Sequence, residues 1–167
     1  MAHSGDKYCV DGHVHLQDGF GIAAVLSAAA GHFAAASTTT GATPTGVLLL
    51  SEIAGTDRFA ELLGTTGDWQ FSETGEPQSR LAQRGQDGAR IAFVSGRQVI
   101  SAEGLEVQAL GTRAQFADGT PLDQLLEEIP ASGALAVLPW GVGKWSGRRG
   151  ARIAALVAEG PPRPGLF

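Results

Sequence analysis

The chain has 167 residues, of which 43% are hydrophobic and 17% are charged, a composition typical of one globular domain and not of a disordered chain. Its net charge of −5 disfavours nucleic acid as a partner, because neutralising phosphates requires a basic surface. The only cysteine, Cys9, excludes an internal disulfide and is typical of a reducing cytoplasm, where we expect the protein to act.

The stretch KYCVDGHVHLQDGFG, residues 7–21, alternates apolar and polar residues and so predicts a strand. Successive strand side chains point to opposite faces, so Asp11, His13 and His15 should share one face. Two imidazoles two residues apart, with carboxylates nearby, can bind a divalent metal from one rigid edge. The alternative interpretation is that they are partly solvated residues of an edge strand.

The next segment, GIAAVLSAAAGHFAAAS, predicts an amphipathic helix that packs on a sheet. It follows mixed sequence without a basic start, and a membrane span needs roughly 20 apolar residues, so we expect neither a signal peptide nor a membrane partner. We interpret His32 as a residue on the flank of this helix. The predicted buried stripe consists of Ile22, Val25, Leu26, Ala29, Phe33 and Ala36.

A buried strand of a parallel sheet is predicted for TGVLLLSEI, and a second helix for GTDRFAELLG. Residues 64–88 then lose clear periodicity. Trp69 and Phe71 favour a short strand there, although a long surface insertion is an equal alternative. Periodicity returns in RIAFVSGRQVISAEGLEVQALGT, which predicts three short strands joined tightly.

A helix and a strand are predicted for DGTPLDQLLEEIPASGALAVLPWG. Thr120 is the expected N-cap and Pro121 the first helical residue, while residues 134–138 form a buried strand. A last helix should begin near Ser146. Strands and helices therefore alternate, which indicates an α/β fold with ligands at the carboxyl ends of the strands. The last helix carries the apolar residues Ile153, Leu156 and Val157, and the buried stripe expected in the first helix consists of Leu122, Leu125, Leu126 and Ile129.

Three segments, VDGHVHL, SAEGLEVQALG and DGTPLDQLLEEIPASGALAVLPWG, together resemble the N-terminal part of a PHP domain, the polymerase and histidinol phosphatase type of metal-dependent hydrolase. The resemblance implies a partial or distorted TIM-like (β/α) barrel of the PHP and amidohydrolase type. Because the final PPRPGLF looks like the approach to a further strand, we expect residues 1–167 to be a single PHP-like domain that lacks its C-terminal strands and helices.

The resemblance also implies a set of site residues. It makes His13 and His15 ligands of a divalent metal, either zinc, manganese or iron, and makes Glu103 a bridging carboxylate with a catalytic role. Asp18 stands in for the catalytic acid that follows the paired histidines. Glu52 is the only ligand type where the family has Thr-Asp-His, and LPWG replaces the usual Ala-His-Pro.

The loop LPWGVGKWSGRRGAR concentrates basic residues at the start of the last predicted helix, where the helix dipole disfavours cations. A bound anion would relieve that conflict, and its flanking glycines would let the backbone approach it. Lys144, Arg148 and Arg149 are therefore the predicted substrate-binding residues. The alternative is an ordinary solvated surface loop.

Taken with the resemblance, these residues favour a hydrolase that activates water on a divalent metal to attack a phosphoester. Its substrate would be a small anionic or phosphorylated molecule. Two alternatives remain: an amidohydrolase-type barrel that cleaves a C–N or C–O bond of a small molecule, and a non-catalytic barrel that binds an acidic ligand.

Overall fold

The computed structural model describes residues 8–38 and 45–159. A short 3₁₀ helix, Arg58–Glu61, follows the second strand. In chain order the other elements are β1 Tyr8–Val14, α1 Ile22–Ser37, β2 Thr45–Leu50, β3 Thr65–Thr66, β4 Trp69–Glu73, β5 Ser79–Arg84, β6 Arg90–Val94, β7 Gly96–Ile100, β8 Glu106–Leu110, α2 Leu122–Ala131, β9 Leu135–Val137 and α3 Gly147–Ala158.

The described residues fall into two compact units. The first contains the chain up to Leu50 together with Asp57–Ser95, and the second contains Ser51–Thr56 together with the chain from Gly96 onwards. The expectation of one PHP-like domain over residues 1–167 stays a prediction.

The first unit is built on a six-stranded sheet with the order β1-β2-β6-β5-β4-β3. The strands β1, β2 and β6 run parallel, and β5, β4 and β3 continue the sheet in antiparallel pairs. Helix α1 packs on one face, where Phe33 lies so close to Gly46 that a Cβ on that glycine would be 2.2 Å from the ring. The buried core of this unit consists of Leu26, Leu48, Leu50, Phe59, Leu62, Trp69, Phe71, Ala82, Ile91 and Phe93.

The second unit has a three-stranded antiparallel sheet with the order β7-β8-β9, together with α2 and α3. The predicted stripe of α2 is confirmed, since all four of its apolar residues are buried. In α3, Ile153 is buried and Val157 is 73% exposed. The buried core consists of Val99, Leu105, Val107, Ala109, Leu122, Leu125, Leu126, Ile129, Ala134, Ala136 and Ile153.

The predicted partial or distorted TIM-like barrel is wrong. The described residues form a mixed six-stranded sheet and a three-stranded sheet with three α-helices. A barrel of that type needs a helix after each parallel strand, whereas residues 65–84 fold into the antiparallel strands β3, β4 and β5. Parallel pairing between named strands is confined to β1, β2 and β6.

The helix expected in GTDRFAELLG is also wrong, because only the four residues Arg58–Glu61 are helical, in 3₁₀ geometry. The other predicted helices, α1, α2 and α3, are present. Across residues 8–38 and 45–159, none of the helices combines the length and apolar content required to cross a bilayer.

Candidate functional site

Two histidine side chains meet at the carboxyl end of β1. The strand pairs regularly with β2 as far as Asp11, and then one extra residue of β1 forms a bulge before Val14. The imidazole of His13, within the bulge, and that of His15, just after the strand, lie with their ring centroids 4.9 Å apart. Their Nε2 atoms are separated by 3.0 Å. The structure therefore brings together the two histidines that the sequence pattern had paired.

This spacing between the two Nε2 atoms is close to what a shared metal requires. Zinc binds imidazole nitrogen at about 2.0–2.1 Å, so two tetrahedral ligands place their nitrogens about 3.3–3.4 Å apart. Since the two Nε2 atoms are 3.0 Å apart, the rings would have to move apart only slightly for both nitrogens to bind one ion. The same distance also fits a hydrogen bond between the rings when one nitrogen carries the proton. The donor set suits zinc, iron or manganese with additional oxygen ligands.

The carboxylates near this pair have partners of their own. Asp11 accepts a hydrogen bond from the backbone N–H of His13, with 3.2 Å between nitrogen and Oδ1. Asp18 is 95% exposed, and its Oδ1 lies 3.5 Å from Nη1 of Arg58. Within the described part of the chain, no three His, Cys, Asp or Glu side chains are arranged to hold a metal ion. A ligand or catalytic role for Asp18 stays a prediction.

Glu52 belongs to the second unit, where it faces a guanidinium group. One of its carboxylate oxygens lies 3.4 Å from Nη1 of Arg97, and these side chains are only 2% and 4% exposed. Arg97 also donates to the carbonyl oxygen of Thr56 over 2.5 Å. Arg97 was not predicted from the sequence, because nothing in the local pattern of β7 marks it as the partner of a residue 45 positions earlier.

Glu103 stabilises the start of α2. Both of its carboxylate oxygens accept the backbone N–H of Leu122, at 3.2 and 3.0 Å. Burial on its own raises the pKa of Glu103, but hydrogen bonds from Ser101, from its own backbone and from Leu122, with the charge of Arg152, outweigh burial and hold the pKa below its ordinary value. A metal-bridging role for Glu103 stays a prediction.

The predicted cap of the same helix is wrong. The N-cap position is Pro121, and the Thr120 hydroxyl donates to the carbonyl oxygen of Ala117 instead of accepting a helix N–H. The helix begins one residue later than the pattern predicted, and the carboxylate of Glu103 supplies the acceptor that a local cap would have supplied.

The basic loop leads into α3 as predicted, and a pocket of about 610 Å³ opens at the start of that helix. Lys144 is engaged elsewhere, since its Nζ forms an ion pair with Oε2 of Glu106 at 2.6 Å. The residues that line this arginine pocket are Ala102, Glu103, Gly104, Ser146, Arg148, Arg149 and Arg152.

The three arginines of the pocket differ in their partners. Arg152 forms ion pairs with Asp123 and Glu159, at 2.5 and 3.6 Å. Arg149 donates to the carbonyl oxygen of Gly143 at 2.8 Å. Arg148 makes no hydrogen bond or ion pair within the described ranges. Arg152 was not among the predicted site residues, although its spacing of three and four residues from the other two places all three on neighbouring turns of one helix face.

A second, mostly apolar pocket of about 430 Å³ lies between α1 and the sheet of the first unit. Its two titratable residues are Asp11 and His32. His32 is exposed on α1, which agrees with its interpretation as a residue on the helix flank. Since Asp11 also contacts His13, this pocket opens beside the histidine pair.

Comparisons with family models, with curated proteins and with solved structures find no significant match to this chain. The geometry of the sites and the motifs of the sequence are therefore what indicate the function of the chain.

Proposed function

We propose that the chain is a metal-dependent hydrolase whose divalent ion is held by His13 and His15. The observation that carries the proposal is the 3.0 Å separation of the two Nε2 atoms. The pair follows an edge strand of the parallel part of a sheet, β1-β2-β6, and ligands of such sheets gather at the carboxyl ends of the strands. The D-x-H-x-H pattern shared with PHP domains supports the same assignment.

The residues around the pair have separate tasks in this proposal. A divalent ion would supply Lewis acidity that lowers the pKa of water and polarises a phosphoryl oxygen. To bind the ion through Nε2, the imidazoles of His13 and His15 must carry no proton on that nitrogen. Asp11 holds the backbone of His13 through the hydrogen bond to its N–H and so orients the bulge, which carries the His13 ring and leads to His15. The proposed substrate is a small anionic or phosphorylated molecule.

Metal analysis tests the proposal. The parent chain should retain zinc or manganese after dialysis, and the His13→Ala, His15→Ala double variant should lose it, because two of the nitrogen ligands are removed. His32→Ala, which removes an exposed imidazole of the same unit, is the matched control and should keep the metal content of the parent. Elemental mass spectrometry gives the stoichiometry, and calorimetry gives the affinity.

Equal metal content in the parent and the double variant would contradict the site. Hydrolysis assays of the metal-loaded parent with phosphomonoesters and with cyclic amides then separate the reaction classes. Cleavage of phosphomonoesters, lost in the double variant, is the expected result. Cleavage of amides alone would favour an amidohydrolase, and a parent chain that binds no metal would favour a non-catalytic binder of acidic ligands.

A further inference from the structure

We infer that the arginine pocket of the second unit is a binding site for a phosphate group, separate from the histidine pair and independent of any metal. The pocket has a volume of about 610 Å³, and the charged residues that line it are three arginines and one glutamate. Ligand pockets commonly have volumes of about 300–1,000 Å³. The space therefore accommodates a phosphate together with a small organic group.

Two of the four charges in the pocket are satisfied within the protein. The guanidinium of Arg152 is paired with the carboxylates of Asp123 and Glu159. The carboxylate of Glu103 accepts hydrogen bonds from the Leu122 N–H and the Ser101 side chain, which direct its oxygens to the start of α2. The charge that acts on Glu103 is that of Arg152, so these two groups interact with each other and with the start of α2.

The other two charges have no carboxylate partner among the residues that the structure describes. Arg148 makes no polar contact there, and Arg149 makes one, with the carbonyl oxygen of Gly143. A carbonyl oxygen accepts a hydrogen bond but carries no net charge. Two neighbouring guanidinium groups thus line the pocket with no carboxylate within ion-pair distance among the described residues.

The two guanidinium groups of Arg148 and Arg149 favour phosphate over other ligands. Cations are repelled, and a single carboxylate would neutralise only one of the two charges. A phosphate monoester carries close to two negative charges near neutral pH, and its oxygens match the paired N–H donors of guanidinium. A phosphate group therefore satisfies both the charge and the donor geometry of Arg148 and Arg149.

Calorimetric titration of the full chain tests this inference. Inorganic phosphate and glycerol 3-phosphate are titrated at low ionic strength in the presence of EDTA, so that no divalent metal contributes. Arg148→Ala should weaken binding by about tenfold or more, because a charge-assisted contact is lost, and the double variant Arg148→Ala, Arg149→Ala should abolish it. Arg90→Ala removes the same charge from an exposed position of the first unit and should bind like the parent.

The absence of saturable phosphate binding by the parent would overturn the inference, and so would an equal loss in Arg90→Ala. Arg148 is exposed and makes no hydrogen bond or ion pair with the residues that the structure describes, so circular dichroism should show an intact fold for the single variant. Tighter binding of glycerol 3-phosphate identifies a phosphorylated small molecule as the ligand, and equal affinity identifies free phosphate. Either result supports the site, and since EDTA is present, neither depends on the metal bound by the histidines.

Discussion

At the scale of single residues, Glu103 shows how a role can depend on a contact that no local pattern encodes. The sequence predicted a cap from Thr120, two residues before the helix, because short-range capping rules concern neighbours along the chain. The cap instead comes from a carboxylate 19 residues before Leu122. By contrast, the pairing of His13 with His15 was predictable, since residues two apart on a strand lie on one face.

The lowered pKa of Glu103 predicts a pH-dependent contribution to stability. Because the pKa is lower in the folded chain, the stabilisation is fully present above the ordinary value of about 4.3 and is lost as the pH falls through the folded value. Glu103→Gln should therefore lower the melting temperature at pH 7, and the difference from the parent should shrink by pH 3. Calorimetric melting at several pH values measures this.

The control for this prediction is Glu127→Gln, at an exposed position of α2, which should change the melting temperature little at either pH. A difference between parent and Glu103→Gln that stays constant from pH 7 to pH 3 would contradict the capping role. If Glu103 were instead a metal ligand, removing the metal with EDTA would change the difference in melting temperature between the parent and Glu103→Gln.

At the scale of elements, amphipathic helices were easier to predict than the antiparallel strands of residues 64–88. Helix α2 has apolar residues at helical spacing, and all of them are buried. Strand β5 lacks an apolar alternation because its arginines cover aromatic rings: Arg84 lies over Trp69 at 5.0 Å and Arg80 over Phe59 at 5.1 Å. Cation–π contacts and the apolar stems of arginine thus replace the expected hydrophobic residues.

Two helical glycines predict opposite effects of the same substitution. Gly31→Ala in α1 meets no atom within 4 Å and should stabilise the chain by up to about 1 kcal/mol through helix propensity. Gly150→Ala in α3 should destabilise it by about 1–3 kcal/mol, since the new Cβ would lie 2.1 Å from the carbonyl oxygen of Trp145. Urea denaturation measures both changes. A stabilised Gly150→Ala variant would show that the close approach of Trp145 to α3 is wrong.

At the scale of the whole molecule, the predicted barrel was wrong because strand order is decided by contacts distant in sequence. The local patterns located β2, β6, β7 and β8 correctly, but they carried no information on which strands pair. The sequence also grouped Glu52 and Glu103 with the histidines, whereas the structure places both glutamates in the second unit and the histidines in the first. Of the predicted metal ligands, His13 and His15 contact each other directly through their side chains.

The last prediction concerns the buried ion pair between Glu52 and Arg97 in the second unit. The segment that contains Glu52 joins the start of β7, because its backbone bonds to Gly96 and Gln98, and Arg97 adds the side-chain contact. Removing one member takes away the charge that faces the other inside the fold, and breaking a buried ion pair in this way costs about 3–5 kcal/mol. Arg97→Met and Glu52→Met should each lower the free energy of unfolding by that amount, and the double variant by less than their sum.

Urea denaturation of the four proteins in this cycle measures the coupling between Glu52 and Arg97. If the loss of unfolding free energy in the double variant equals the sum of the two single losses, the ion pair does not stabilise the fold. The same experiment with and without EDTA also tests the prediction that Glu52 binds a metal, because a ligand would make the parent less stable in EDTA while leaving Glu52→Met unchanged. Since Glu52 is buried against a guanidinium group that already supplies a positive charge, we expect EDTA to leave the measured coupling energy unaltered.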